Sequence, residues 1–222
     1  MKLLLTSAGI KNPSIHAALL ELLGKPIEEC DALCITTASY AHPMAGPGRA
    51  WSFISGVGSQ TPMTELGWKS MGVLELTALP SLGKELWGPW VEQTDVLLVN
   101  GGDTLYLAHW MRESGLADLL PSLSAVWVGL SAGSMVMTPR IGDDFKQWDP
   151  PEGGDKALGV VDFSIGPHLA PDGEPGNSMA ELEAWAAGLD VPCYAVDDQT
   201  AFVWVDGEME IVSEGTWKLL NR

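Results

Sequence analysis

The sequence predicts an α/β protein: a three-layer sandwich with a mostly parallel central sheet and a C-terminal β-hairpin. Two patterns carry that expectation. Through the first two thirds of the 222 residues, short and almost wholly apolar runs alternate with segments of helical periodicity. Strands apolar on both faces belong to parallel sheets covered by helices on each side. Near the C-terminus, T-A-F-V-W-V and E-M-E-I-V-S flank Asp206-Gly207, a dipeptide suited to the positive φ angles of a tight hairpin turn. The length favours a single α/β domain over residues 1–222.

The elements follow in order. K-L-L-L-T-S opens as a buried strand, its apolar run from Leu3 to Leu5 too short for a signal-peptide core. Ser14 is placed to cap a helix through Leu23. D-A-L-C-I-T-T is a second strand, followed by a Gly/Pro-rich loop and a helix around R-A-W-S-F-I-S. G-V-L-E-L-T-A-L is a third, and K-E-L-W-G-P-W-V-E a short helix interrupted by Pro89. D-V-L-L-V-N is a fourth, ahead of a helix from Asp103 to Glu113 closed by Gly115. A-V-W-V-G-L is a fifth. Residues 142–156, rich in Gly, Pro and Asp, form a long surface loop. A strand at V-V-D-F-S-I, a helix at S-M-A-E-L-E-A-W-A-A and a short strand Y-A-V-D-D then lead to the hairpin.

Composition narrows the partners. With 46% apolar and 18% charged residues the chain can bury a sizeable core. A net charge of -17 repels phosphates and anionic lipid, so neither nucleic acid nor membrane is an expected partner. Three cysteines without a C-x-x-C pair read as reduced thiols, which points to the cytoplasm. No H-x-x-x-H or Cys/His cluster occurs, and D-G-E at 172–174 reads as an exposed turn, so no metal or cofactor is expected. Most of the ten tryptophans suit the core; Trp87, Trp90 and Trp110 are also candidates for a homodimer interface.

The chemistry concentrates at strand ends. G-L-S-A-G, residues 129–133, lies between an apolar strand and a helix-competent run, the setting of a nucleophile elbow. Ser131 is the candidate nucleophile, and the N–H of Ala132 the candidate oxyanion donor at the helix start. A serine needs a base, and of four histidines only His168, in G-P-H-L beyond an apolar run, follows it at a strand end. For the carboxylate that orients the ring, Asp162 sits on His168's own strand, roughly 20 Å away if extended. Asp198 is favoured, with Asp197 in reserve. N-G-G-D-T, residues 100–104, opens the next helix: Asp103 reads as its N-cap and Gly102 N–H as a second oxyanion donor.

Together, strand-G-G-D-T-x-x-L, G-L-S-A-G, a strand ending in P-H and a late acid before a hairpin resemble peptidase family S51, which includes aspartyl dipeptidases and cyanophycinase. The resemblance implies a class I glutamine amidotransferase-like fold and a Ser-His-acid triad, with Ser131, His168 and Asp198 in those places and a small peptide as substrate. Asp198 stands where the family commonly has glutamate, and Asp103 where a G-G-N-T pattern has asparagine. Residues 157–217 contain no Lys or Arg, and Asn177 takes the position of an arginine that selects aspartate, so strict aspartate preference is not expected. Asn177 and Asp103 are expected to border the substrate, with Arg140, Lys146 or Lys156 supplying charge from the long loop and Trp148 narrowing the cleft. The competing class is a ligand-binding protein on the same fold without catalysis.

Overall fold

The computed structural model describes residues 1–171 and 173–221; Asp172, in the expected 172–174 turn, lies outside them. Seven strands form the central sheet: β1 Lys2–Thr6, β2 Asp31–Ile35, β3 Ser70–Val73, β4 Val96–Val99, β5 Val126–Leu130, β8 Thr200–Val205 and β9 Glu208–Ser213. Their order is β3-β2-β4-β5-β1-β8-β9. The first five run parallel, and β8 and β9 add an antiparallel edge. Strands β4 and β5, buried along their whole length, occupy the centre. The helices are α1 Pro13–Leu23, α2 Gly46–Ser55, α3 Lys84–Glu92, α4 Thr104–Glu113, α5 Leu116–Leu119, α6 Ala132–Met135 and α7 Met179–Ala187. Two apolar clusters, one on each face of the sheet, make the layered core: Leu3, Leu5, Trp127 and Phe202 belong to one, and Leu4, Val126, Val128 and Ala201 to the other. Alternation along β1 and β5 divides the strands between them.

A second sheet, absent from the sequence-based expectation, has the order β10-β7-β6, with β6 Ser164–Gly166, β7 Cys193–Val196 and β10 Trp217–Asn221. Strand β7 runs parallel to β6 and antiparallel to β10. The expected strand at V-V-D-F-S-I is therefore shorter. Val160 and Val161 donate instead to the Met137 carbonyl at 2.8 and 3.0 Å, which removes them from any ladder.

Two further boundaries differ. Asn12, not Ser14, caps α1: its Oδ1 accepts from Ile15 N at 2.9 Å, and Pro13 follows at the first helical position. Ser14 instead donates through its N–H and hydroxyl to Glu214. The third strand ends at Val73, and Leu76–Ser81 forms a 3₁₀ helix. The i, i+3 spacing of buried Leu76 and Leu79 matches a three-residue turn. The hairpin forms as expected, with Val205 opposite Glu208. Trp87, Trp127 and Trp185 are buried, whereas Trp51, Trp90 and Trp217 are exposed.

Candidate active site

The carboxyl ends of three neighbouring strands, β4, β5 and β1, build one margin of the sheet. Ser131 follows β5 immediately. Its backbone, at φ 49° and ψ -110°, lies where side-chain-bearing residues are rarely held. The turn that forces this conformation depends on its two glycines. A Cβ on Gly129 would stand 2.3 Å from the Gly133 carbonyl oxygen, and one on Gly133 the same distance from that of Val99. The small residues let the chain double back between β4 and β5, which lifts the serine hydroxyl clear of the sheet.

The small sheet delivers the other two groups. Gly166 of β6 pairs with Ala195 of β7 in parallel register, so both chains leave the sheet on the same side. His168 and Asp198 come two residues after their respective strands. His168 Nε2 lies 3.0 Å from Ser131 Oγ, and its Nδ1 lies 2.7 Å from Asp198 Oδ1. The hydrogen bond from His168, with a smaller contribution from the Ser7 hydroxyl, holds Asp198 below the usual carboxylate value against the opposing effect of burial. An ionised carboxylate only accepts, so Nδ1 carries the proton and Nε2 is left free to accept from the serine.

Asp197, the reserve candidate, is used otherwise. Its Oδ1 accepts from Gln199 N and Thr200 Oγ1, and its Oδ2 from Thr216 N. It closes the turn into β8 and joins it to β10.

Opposite His168, the loop after β4 presents Gly101 and Gly102. Gly101 N–H is occupied by Asn100 Oδ1 at 2.8 Å, and Asn100 Nδ2 is fixed on Ser39 Oγ at 2.9 Å. Gly102, at φ 142°, lies against the Ala38 carbonyl, where a Cβ would come within 2.2 Å. Among the described residues, the N–H groups of Gly102 and Ala132 donate to no protein acceptor. Gly102 is the only one of the two glycines with an amide to offer.

Ser131, His168 and the Asn100–Gly102 turn line a cleft of about 480 Å³. His42, Met44 and Arg49 border it on one side, Asp144, Phe145 and Gln147 of the long loop on another, and Pro167 and Asn177 near His168. Several expected contributors lie elsewhere. Asp103 is 1% exposed; its Oδ1 caps α4 through Tyr106 N and its Oδ2 accepts from Trp148 N. Burial raises its pKa, opposed by those amide donors. That carboxylate faces the protein and not the cleft. Trp148 packs against Tyr106 and His109. Arg140 is paired with Asp155 and Asp190, Lys146 with Asp149, and Lys156 borders a separate depression beside Arg112. Asn177 does line the cleft, but its Nδ2 donates to the Pro167 carbonyl at 2.7 Å, a brace across the loop that carries His168.

Two contributors give no signal in the sequence. Arg49 on α2 is the one Lys or Arg bordering the cleft among the described residues. Ser7, immediately after β1, contacts both His168 and Asp198. Neither carries a motif; each reaches the site only through the order of strands. Among the described residues, no three His, Cys, Asp or Glu side chains are grouped to hold a metal ion, and no helix is long and apolar enough to cross a membrane.

Comparison with known proteins bears on the family and the fold. Residues 59–212 match the model of peptidase family S51. Peptidase E of Salmonella arizonae is 28% identical over 148 residues, 63% of this chain and 59% of the relative. Peptidase E of Shewanella baltica strain OS195 is 25% identical over 152 residues, 63% of this chain and 61% of the relative. Each match thus spans about three fifths of the relative's length. Among solved structures, a candidate peptidase E from Listeria monocytogenes EGD-e superposes with a TM-score of 0.65 at 17% identity, covering 96% of this chain and 98% of that one. A peptidase from an acI-B1 actinobacterium gives 0.59 at 19%, covering 99% and 90%. At such identities the two structures speak for the fold alone. Because residues 59–212, more than half of the chain, match the family model, the chain belongs to peptidase family S51.

Proposed function

We propose that the protein is a serine peptidase that hydrolyses the peptide bond of small peptides through Ser131, His168 and Asp198. The observation that carries this reading is the unbroken relay from Ser131 Oγ through the two ring nitrogens of His168 to Asp198, at 3.0 and 2.7 Å. Ser131 Oγ attacks the carbonyl carbon while its proton passes to Nε2. The carbonyl oxygen, now carrying the charge, is received by the N–H groups of Gly102 and Ala132. Collapse breaks the C–N bond, and Nε2 returns the proton to the departing amine. Water, activated by the same nitrogen, then releases the acyl group and restores the serine.

The contact made by Asp198 favours catalysis over a ligand-binding role, since a ligand-binding protein has no need of a carboxylate on the far side of the ring. The cleft favours small zwitterions. Arg49 is exposed and enters no ion pair among the described residues, which leaves it available for a substrate carboxylate, and Asp144 across the cleft suits an ammonium. A volume of about 480 Å³ matches a dipeptide-sized ligand.

The test is release of free amino acids from a panel of dipeptides, their N-acetyl derivatives and their C-terminal amides. Hydrolysis of unmodified dipeptides that vanishes in Ser131→Ala, with both blocked series slower, is expected. Wild-type protein that cleaves none of them, or a Ser131→Ala variant as active as wild type, would overturn the proposal.

A further inference from the structure

We infer that Ser7 is a positioning residue of the active site, joining the base and the acid through a single hydroxyl. This rests on the catalytic reading of Ser131, His168 and Asp198 given above. Ser7 is 1% exposed and lies outside the cleft lining, so it acts on substrate only through other side chains. Its Oγ accepts from the backbone N–H of His168 at 2.9 Å and donates to Asp198 Oδ1 at 3.0 Å. The same Oδ1 takes His168 Nδ1, and Ser7 Oγ stands 3.5 Å from that nitrogen.

The arrangement meets a specific need. His168 sits at φ 57°, in the left-handed region that a residue with a side chain enters at a cost. Something must hold it there. On one side Asn177 N donates to the His168 carbonyl at 2.8 Å, and on the other the Ser7 hydroxyl receives the His168 N–H. Asp198 faces a parallel problem, as an aspartate at the end of a short strand that must point one oxygen at Nδ1. The Ser7 proton fixes that same oxygen from beside the ring, as a second donor next to Nδ1. One hydroxyl therefore sets the backbone of the base and the rotamer of the acid together.

Its anchorage comes from the central sheet. Ser7 follows β1, which lies between β5, the strand carrying Ser131, and β8. Ser7 N donates to the Thr200 carbonyl at 3.3 Å, while Ser131 N and Ser134 Oγ both donate to the Thr6 carbonyl, at 3.1 and 2.8 Å. The end of β1 thus touches the nucleophile's turn through Thr6 and the base-acid pair through Ser7. The small sheet that carries His168 and Asp198 is referred to the sheet that carries Ser131 through this strand end.

The experiment measures inactivation by a fluorophosphonate, separating the maximal rate constant kinact from the half-saturating concentration KI. Wild type, Ser7→Ala and Ser7→Thr are compared, each checked for native circular dichroism. Ser7→Ala is expected to lower kinact by about 10- to 100-fold, the cost of a misplaced catalytic group, with KI within about twofold. Ser7→Thr, which keeps the hydroxyl, is expected to recover most of kinact. Unchanged kinact in Ser7→Ala, or equal losses in the two variants, would overturn the inference. Should Ser7→Ala not fold, Ser7→Cys, similar in size with a weaker donor and acceptor, takes its place with the same expectation. A wild-type protein that does not react would count against the proposed function; a reactive wild type with an equally reactive Ser7→Ala counts against Ser7 alone.

Discussion

Gly133→Ala perturbs the turn behind the nucleophile, and two opposing effects have known sizes. Gly133 lies in α6 and has no left-handed φ, so the backbone accepts alanine. Replacing a helical glycine gains about 0.4–1 kcal/mol by restricting the unfolded chain. Against this, the new Cβ would lie 2.3 Å from the Val99 carbonyl oxygen and 3.1 Å from Val99 Cγ1. Ordinary contact begins near 3.4 Å. Strand β4 is paired on both sides, by β2 and β5, so α6 is the part that moves. Relief requires a shift of about 1 Å, and overpacking of this kind costs about 1–3 kcal/mol. The clash wins, leaving a net loss of roughly 1–2 kcal/mol. Because α6 begins one residue after Ser131, the same shift moves Ala132 N–H away from the reacting carbonyl. A displacement near 1 Å costs on the order of 10² in rate. Urea unfolding and fluorophosphonate labelling read the two effects. Gly48→Ala in α2, whose Cβ would meet nothing within 4 Å and whose φ is not positive, is the control, expected to be stabilised and to label normally. A Gly133→Ala protein as stable and as reactive as wild type would refute the packing account of the elbow.

Other perturbations have equally defined outcomes. Asp198→Asn keeps the shape but removes the charge that steadies the ring, and is expected to lower the labelling rate by about 10²–10⁴; a loss under threefold would contradict its role. Asp198 is held below its ordinary value of 3.8, so its contribution to stability is full above that pH and disappears as pH falls through the lower native value. The acid-side slope of the urea midpoint should flatten in Asp198→Asn, and an unaltered slope would argue against the pairing. Arg49→Gln should raise KM for unmodified dipeptides by about tenfold and leave their amides unaffected, as loss of a charge-assisted contact requires; equal effects on both series would exclude a C-terminal carboxylate as its partner. Burial pushes the Cys34 thiol up to about 12 and Cys193 to about 11, so iodoacetamide at mild alkaline pH should modify them only after unfolding. Prompt alkylation of the native protein would show those sites to be open.

Local chemistry explains what could be read from the chain. The elbow glycines, the capping aspartate Asp103 and the Asp206-Gly207 turn each state their conformation within a few residues. The apolar runs of β4 and β5 declare a covered parallel sheet. Long-range pairing is what escapes such reading. Strand β6 has three residues and β10 pairs with β7 across the hairpin, so neither shows a period long enough to register. That small sheet is the physical cause of the proximity between His168 and Asp198, and chain order alone offers only the expectation that the two meet. Ser7 and Arg49 escape for the same reason: a serine after a strand and an arginine in a Gly/Pro-rich segment look ordinary until β1 and α2 are brought to the cleft. Asp103 and Trp148 mislead in the opposite sense. Nearness in sequence to functional glycines and to the long loop suggests the cleft, whereas each is consumed by packing and capping behind it.

The most direct measurement is peptide mapping by mass spectrometry after fluorophosphonate treatment of the folded protein near neutral pH. A single adduct on Ser131, abolished in Ser131→Ala and formed far more slowly in His168→Gln, is the predicted result. An adduct confined to another residue, or a Ser131 adduct formed equally fast without the imidazole, would contradict a nucleophile activated by His168.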